Sequence, residues 1–321
     1  MSFRLSQWSI SRQVLAALLI AVLALVAVSG ALVAQRWGEA QAIRQVETLA
    51  GVAVGIGSAA HELQRERGAS ALFIGSKGQQ FRQELADQRR ASDAAVAAFR
   101  ERLAPLKNVA AYKAFANRMA QAERGLAVLS AKRAAVDGLA LSGGDSFAFY
   151  TETIGYLLSG VYELSLLTND PAIKDQVFAY AALLEGKERA GRERATGSAG
   201  FAAGKFDLAL YNRLNALAAE EAAYFAVFRA AAGDAMAAFF DSEGLGREYA
   251  EVKAMREIAI SAGPGGDLKG TRAPDWFRAA TLWIDRLKAV EDRMNGELRQ
   301  TAAAKSRAAL AGFAWALAAA L

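Results

Sequence analysis

The chain of 321 residues contains no cysteine, a single histidine and only four prolines. The missing cysteine excludes disulfide scaffolds, thiolate zinc sites, iron–sulfur clusters and thiol catalysis together. One histidine, His61, leaves no multi-histidine metal centre within one chain, and no cofactor is expected. Net charge is also scarce: 38 Lys+Arg stand against 33 Asp+Glu, an excess of +5 spread along the whole length. That is too dilute for a nucleic-acid footprint, which needs basic residues gathered on one face, so no nucleic-acid partner is expected. Abundant alanine and a hydrophobic share of 54% favour long helices over sheet.

The N-terminal part has one long uncharged run, residues 14–34. A helix of 21 residues spans roughly 30 Å, the thickness of a bilayer's hydrocarbon core. Its rivals are a buried helix, which at that length normally keeps a polar stripe, and a cleaved signal peptide with Ser29-Gly30-Ala31 as its small-residue site. The run exceeds the 7–15 apolar residues of a signal-peptide core, so an uncleaved transmembrane helix is the reading. Residues 308–321 are again uncharged but too few to cross a bilayer. They read as the start of a second span, with a helix packed on the folded domain as the alternative. Arg4 and Arg12 on one side of the first span are matched by Arg36 and Arg44 on the other, so positive-inside counting gives nearly a tie. Residues 1–13 would be a cytoplasmic N-terminus and 35–307 an extracytoplasmic domain at the inner membrane.

Residues 35–307 read as all-α: about seven or eight long helices in one or two antiparallel bundles. The first helix continues from the apolar run to about Ile74. Breaks fall near residues 75–78, Pro105, 143–144, 169–171, 197–204, 244–246 and 263–274. All four prolines lie in or beside these breaks, as they should if helix interiors exclude proline. Ser142 and Asp170 are N-cap candidates. Trp276, Phe277 and Trp283, at helical spacing, read as core. The Gly-rich residues 263–270 lack the strand and Gly-Lys-Ser/Thr ending of a phosphate loop and read as a loop. No nucleophile–base pair or clustered carboxylates with catalytic spacing is present, so no enzyme is expected.

One pattern occurs twice, about 127 residues apart. Arg65-Glu66-Arg67-Gly68 precedes a Gly75-Ser76-Lys77-Gly78 turn, and Arg192-Glu193-Arg194-Ala195 precedes Gly204-Lys205. The repeat suggests an internal duplication or two pseudo-symmetric walls of one site. Guanidinium groups keep their charge and match planar oxyanions with paired N–H donors. Two of them about 4 Å apart at an effective dielectric of about 20 repel by about 4 kcal/mol, and a bound monoanion reverses that. Residues two apart diverge by roughly 200° around a helix, so one arginine of each motif can point into a shared site. Arg67 and Arg194, beside small residues, are the favoured pair. Against this stands solvated decoration: Glu185→Arg189 and Glu188→Arg192 have the i,i+4 order of exposed helix pairs. His61, one turn before Arg65, could join an anion site but reads as a structural or solvated residue.

Residues 63–73 with their Gly-rich turn resemble the opening motif of the nitrate- and nitrite-sensing domain family. Residues 150–154, 184–195, and Trp276-Phe277 followed by Thr281, Ile284-Asp285 and Val290-Glu291 fit the same family in order. The resemblance, over roughly residues 50–300, implies an all-helical sensor that holds nitrate or nitrite by arginines from different helices. It implies a domain between two membrane spans, as a homodimer, relaying to a cytoplasmic output such as a chemotaxis or kinase domain absent from this chain. Carried over residue by residue, it implies Arg65 and Arg67, Arg192 and Arg194, and Arg256 as ligands. A membrane-anchored helical adaptor without a small-ligand site is the alternative.

Overall fold

The computed structural model describes residues 9–106, 112–168 and 170–320; Arg4, Asn169 and Leu321 lie outside the described residues. Ten α-helices and no strand occur among them: α1 (Ile10–Gly75), α2 (Arg82–Leu103), α3 (Lys113–Ala127), α4 (Leu129–Asp137), α5 (Gly143–Ser165), α6 (Pro171–Ala202), α7 (Leu208–Ala231), α8 (Asp234–Glu243), α9 (Arg247–Ala262) and α10 (Ala273–Ala320). Eight have 15 residues or more, matching the all-α expectation.

Local chemistry sets the boundaries. Ser142 Oγ accepts the Asp145 amide at 3.0 Å and Asp170 Oδ1 accepts the Ile173 amide at 3.1 Å, each satisfying a donor left over at a helix start. Pro171 follows at the first helical position, where its missing N–H costs nothing. Asp207 caps α7 in the same way. The break expected at 197–204 begins later, because α6 runs through Gly197 and Gly200. A Cβ on Gly197 would lie 2.3 Å from the Trp276 ring, and one on Gly200 2.3 Å from Phe206. These glycines admit aromatic rings against the helix rather than ending it.

The chain forms two compact units, residues 48–299 and the two terminal segments 1–47 with 300–321. In the larger unit, α5 and α7 each pack on α6, and Tyr150, Leu157, Tyr180 and Phe228 are all 1% exposed or less. Trp276 and Trp283 are fully buried, and burial of each such side chain contributes roughly 1.5–3 kcal/mol. Phe277 departs from the core expectation: it is 38% exposed and lies under a guanidinium instead.

In the smaller unit, α1 exposes apolar side chains of residues 14–34, with Leu15, Ile20 and Leu25 about two-thirds accessible. Among the described helices, only α1 is long and apolar enough to cross a membrane, by length and composition. Residues 308–320 are the end of α10, and Phe313 packs on Trp37 with ring centroids 5.1 Å apart.

Candidate functional site

Three helices present one face each to a common cavity of about 410 Å³ in the larger unit. α1 contributes His61, Gln64 and Arg65, with Arg67 beside them. α6 contributes Lys187, Gly191 and Arg194, and α10 contributes Thr281, Ile284, Asp285 and Lys288. The spacings i, i+3, i+4 and i+7 on α10, and i, i+4 and i+7 on α6, are those of a single helix face.

Arg67 is buried and ion-paired. Its Nη1 and Nη2 donate to the two carboxylate oxygens of Glu188 at 2.6 and 3.0 Å, Nη1 also donates to Thr151 at 2.8 Å, and Phe147 lies 4.7 Å beneath its plane. Gln64 completes Glu188 with a bond of 2.9 Å.

Arg194 is held differently. Its one side-chain hydrogen bond among the described residues goes to Thr281 Oγ1 at 2.9 Å, and Phe277 stacks at 4.9 Å. Among the described residues no carboxylate lies within ion-pair distance of it. Burial, followed by repulsion from Arg67, pushes its pKa down to about 10; Asp285 offsets part of this. The two arginines pack reciprocally. A Cβ on Gly191 would lie 3.3 Å from Arg67 Nη2, and one on Gly68 3.6 Å from Arg194 Nη2. Each guanidinium therefore lies over a glycine of the other's helix, where a side chain would narrow the space between them.

At the other end of the cavity, Lys187 forms a buried ion pair with Glu291, and its Nζ lies 3.5 Å from His61 Nδ1. Burial, with the charges of Lys187, Lys288 and Arg65, lowers the His61 pKa to about 2, so the imidazole is neutral at physiological pH. Arg65 lines the cavity from its mouth, its side chain 60% exposed and 3.6 Å from Glu62.

The repeated motif is repeated in structure. Both central glutamates are buried and held by arginine from another helix: Glu66 by Arg133 at 2.7 and 2.8 Å, Glu193 by Arg256 at 2.6 and 2.7 Å. Both motifs end ten residues after their second arginine in a left-handed residue, Lys77 and Gly204. The following amide, of Gly78 or Lys205, closes back five residues in each case.

The structure thus brings together Arg67, Arg194 and, at the rim, Arg65. It does not bring Arg256 or Arg192. Arg256 is buried and committed to Glu193 and Glu221. Arg192 is outside the cavity wall, as expected for a residue two positions from Arg194 on a helix. The expected Glu188–Arg192 surface pair is replaced by the buried Glu188–Arg67 pair, whereas Glu185–Arg189 does form. Glu188, Thr151 and Lys187 were not singled out as site residues. Gly191 directly precedes the second arginine motif.

The Arg256 cluster has a consequence for stability. Two buried carboxylates share one guanidinium, and burial plus the charge of Glu193 raises Glu221 well above the ordinary carboxyl value. An acid whose folded pKa is raised destabilises as pH climbs through and above its unfolded value near 4.5. Glu221→Gln is therefore expected to raise the melting temperature at pH 7 by a few degrees, about 1–2 kcal/mol. The gain should vanish near pH 4, where Glu221 is protonated in both states; calorimetry at the two pH values checks it.

The sequence model of the family described as nitrate and nitrite sensing matches residues 58–299. A nitrate regulatory protein of Klebsiella oxytoca is 30% identical over 260 residues, 81% of this chain; the chain spans 64% of that relative's length. The solved structure of the NasR transcription antiterminator superposes with a TM-score of 0.75 at 26% identity, over 94% of this chain and 84% of that one. These relatives correct the expected function: they are a nitrate regulatory protein and a transcription antiterminator, not membrane chemoreceptors that relay a signal through transmembrane helices. The antiterminator relative also leaves the expectation of no nucleic-acid partner unsupported. The family model covers well over half of the sequence, so the chain belongs to the nitrate- and nitrite-sensing family.

Proposed function

We propose that this chain is a non-enzymatic sensing segment of a nitrate-responsive regulator, and that nitrate or nitrite binds between Arg67 and Arg194. One observation carries the reading: Arg194 is a buried cation without a bound carboxylate, facing a second guanidinium across two glycines. In the unliganded chain this arrangement is electrostatically unfavourable, and a small monoanion supplies the missing charge. Thr281, Gly68 and Gly191 leave room for a flat guest, and Arg67, pinned by Glu188, offers a preorganised edge. Ligand then favours the arrangement in which α1, α6 and α10 close on the anion, a shift no larger than its differential affinity for the two states.

Titration calorimetry of the whole chain with nitrate, nitrite, chloride and sulfate tests this. Saturable one-to-one binding is expected for nitrate or nitrite and not for sulfate. At a hundred times Kd the ligand should stabilise the fold by about 2.7 kcal/mol, visible as a rise in melting temperature. Absence of saturable heat for both nitrate and nitrite would overturn the proposal.

A further inference from the structure

The cavity is larger than its proposed guest. At about 410 Å³ it holds many times the roughly 30 Å³ that one water occupies in the liquid, so volume alone does not keep out a tetrahedral anion. Selectivity must come from charge. Five cations line the wall, and four have carboxylates: Arg65 has Glu62, Arg67 has Glu188, Lys187 has Glu291, and Lys288 has Asp292. His61 is neutral. Two charged side chains of the wall have no ion pair among the described residues, Arg194 inside and Asp285 on the exposed side. Asp285 lies one helical turn beyond Thr281, the partner of Arg194, and makes no hydrogen bond or ion pair among the described residues. Its charge supports the ionised form of Arg194.

We infer that Asp285 is the specificity-determining residue of this site, restricting it to monoanions by repelling any second negative charge. The inference rests on the anion-binding reading above. A monoanion neutralises Arg194 and leaves Asp285 facing solvent. A dianion such as sulfate brings one unmatched charge into a low-dielectric cavity beside a carboxylate, where charge–charge terms are several times stronger than in water.

The experiment is titration of the whole chain, the parent beside Asp285→Asn and Asp285→Glu, with sodium nitrate and sodium sulfate at fixed ionic strength. Asp285→Asn is expected to bind nitrate about three- to tenfold more tightly and to acquire saturable sulfate binding. Asp285→Glu, which keeps the charge, should reject sulfate as the parent does. Because Asp285 is exposed, its melting temperature without ligand serves as the folding control. A parent that binds nitrate, with an Asn variant unchanged in nitrate affinity and still closed to sulfate, would overturn this inference while leaving the anion site intact. A parent that binds neither nitrate nor nitrite would remove the reading on which it rests.

Discussion

Arg194→Leu is expected to abolish nitrate binding while leaving the unliganded chain at least as resistant to heat as the parent. Hydrogen bonds to charged groups are each worth about 1.5–3 kcal/mol, so losing the cation should weaken binding by a factor on the order of a hundred or more. The effect on stability has the opposite sign to that of most arginine removals. Burial and then Arg67 depress the Arg194 pKa to about 10 from 12.5. For a base with a lowered folded pKa, the cost of carrying charge is fully present below that folded value, therefore at pH 7. At about 1.4 kcal/mol per pKa unit the cost is on the order of 3–4 kcal/mol. Against it stand one hydrogen bond to Thr281 and the stacking on Phe277, about 0.5–1 kcal/mol for a cation–π contact. The Trp276 indole donates to the Arg194 backbone carbonyl at 2.9 Å, so that contact survives the substitution. Scanning calorimetry with and without nitrate should show an unchanged or higher melting temperature without ligand and no further rise with it. Parent-like nitrate affinity in this variant would place the site elsewhere.

The residues themselves show how far sequence reasoning carried. Helix starts were legible where a short polar side chain stands before an apolar run, as at Ser142 and Asp170, because capping is local chemistry. Arg67 and Arg194 were legible as a pair because the motif repeats and small residues adjoin both. Arg256 was not: its carboxylates lie 63 and 35 positions away, and nothing in one sequence marks which buried acid meets which base. Glu188 misled for a related reason. The i,i+4 rule gives its spacing to Arg192 but not whether that face meets solvent or α1. Gly197 and Gly200 misled because a glycine that ends a helix and one that admits an aromatic ring are the same letter. Asp285 was quoted only as part of a family motif; its position opposite Arg194 depends on how α10 packs on α6. The membrane relay rested on terminal hydropathy and resemblance, neither of which involves a residue of the cavity.

Arg67→Ala, in the equivalent position of the first motif, should behave in the opposite way to Arg194→Leu: it is expected to destabilise the fold severely. Arg67 is the counter-charge of Glu188, which is 2% exposed. Breaking a buried ion pair by removing one partner typically costs 3–5 kcal/mol, because the remaining charge has lost both water and its mate. Gln64 would remain as a neutral donor to Glu188, and Thr151 would lose its donor altogether. At roughly 2–4 °C per kcal/mol, the melting temperature should fall by about 10 °C, and nitrate binding would be lost with the preorganised edge of the site. Since misfolding alone would also abolish binding, the informative variant is Arg67→Met combined with Glu188→Gln, which removes both charges and keeps similar volume. That pair should recover most of the lost stability and still bind nitrate far more weakly than the parent, because Arg194 would face the anion alone. The two single variants and the double form a cycle whose coupling energy should reach the upper end of the 0.5–3 kcal/mol range found for contacting residues. A parent-like melt for Arg67→Ala would mean that Glu188 is not held by Arg67. Parent-like nitrate affinity in the double variant would mean that one arginine suffices.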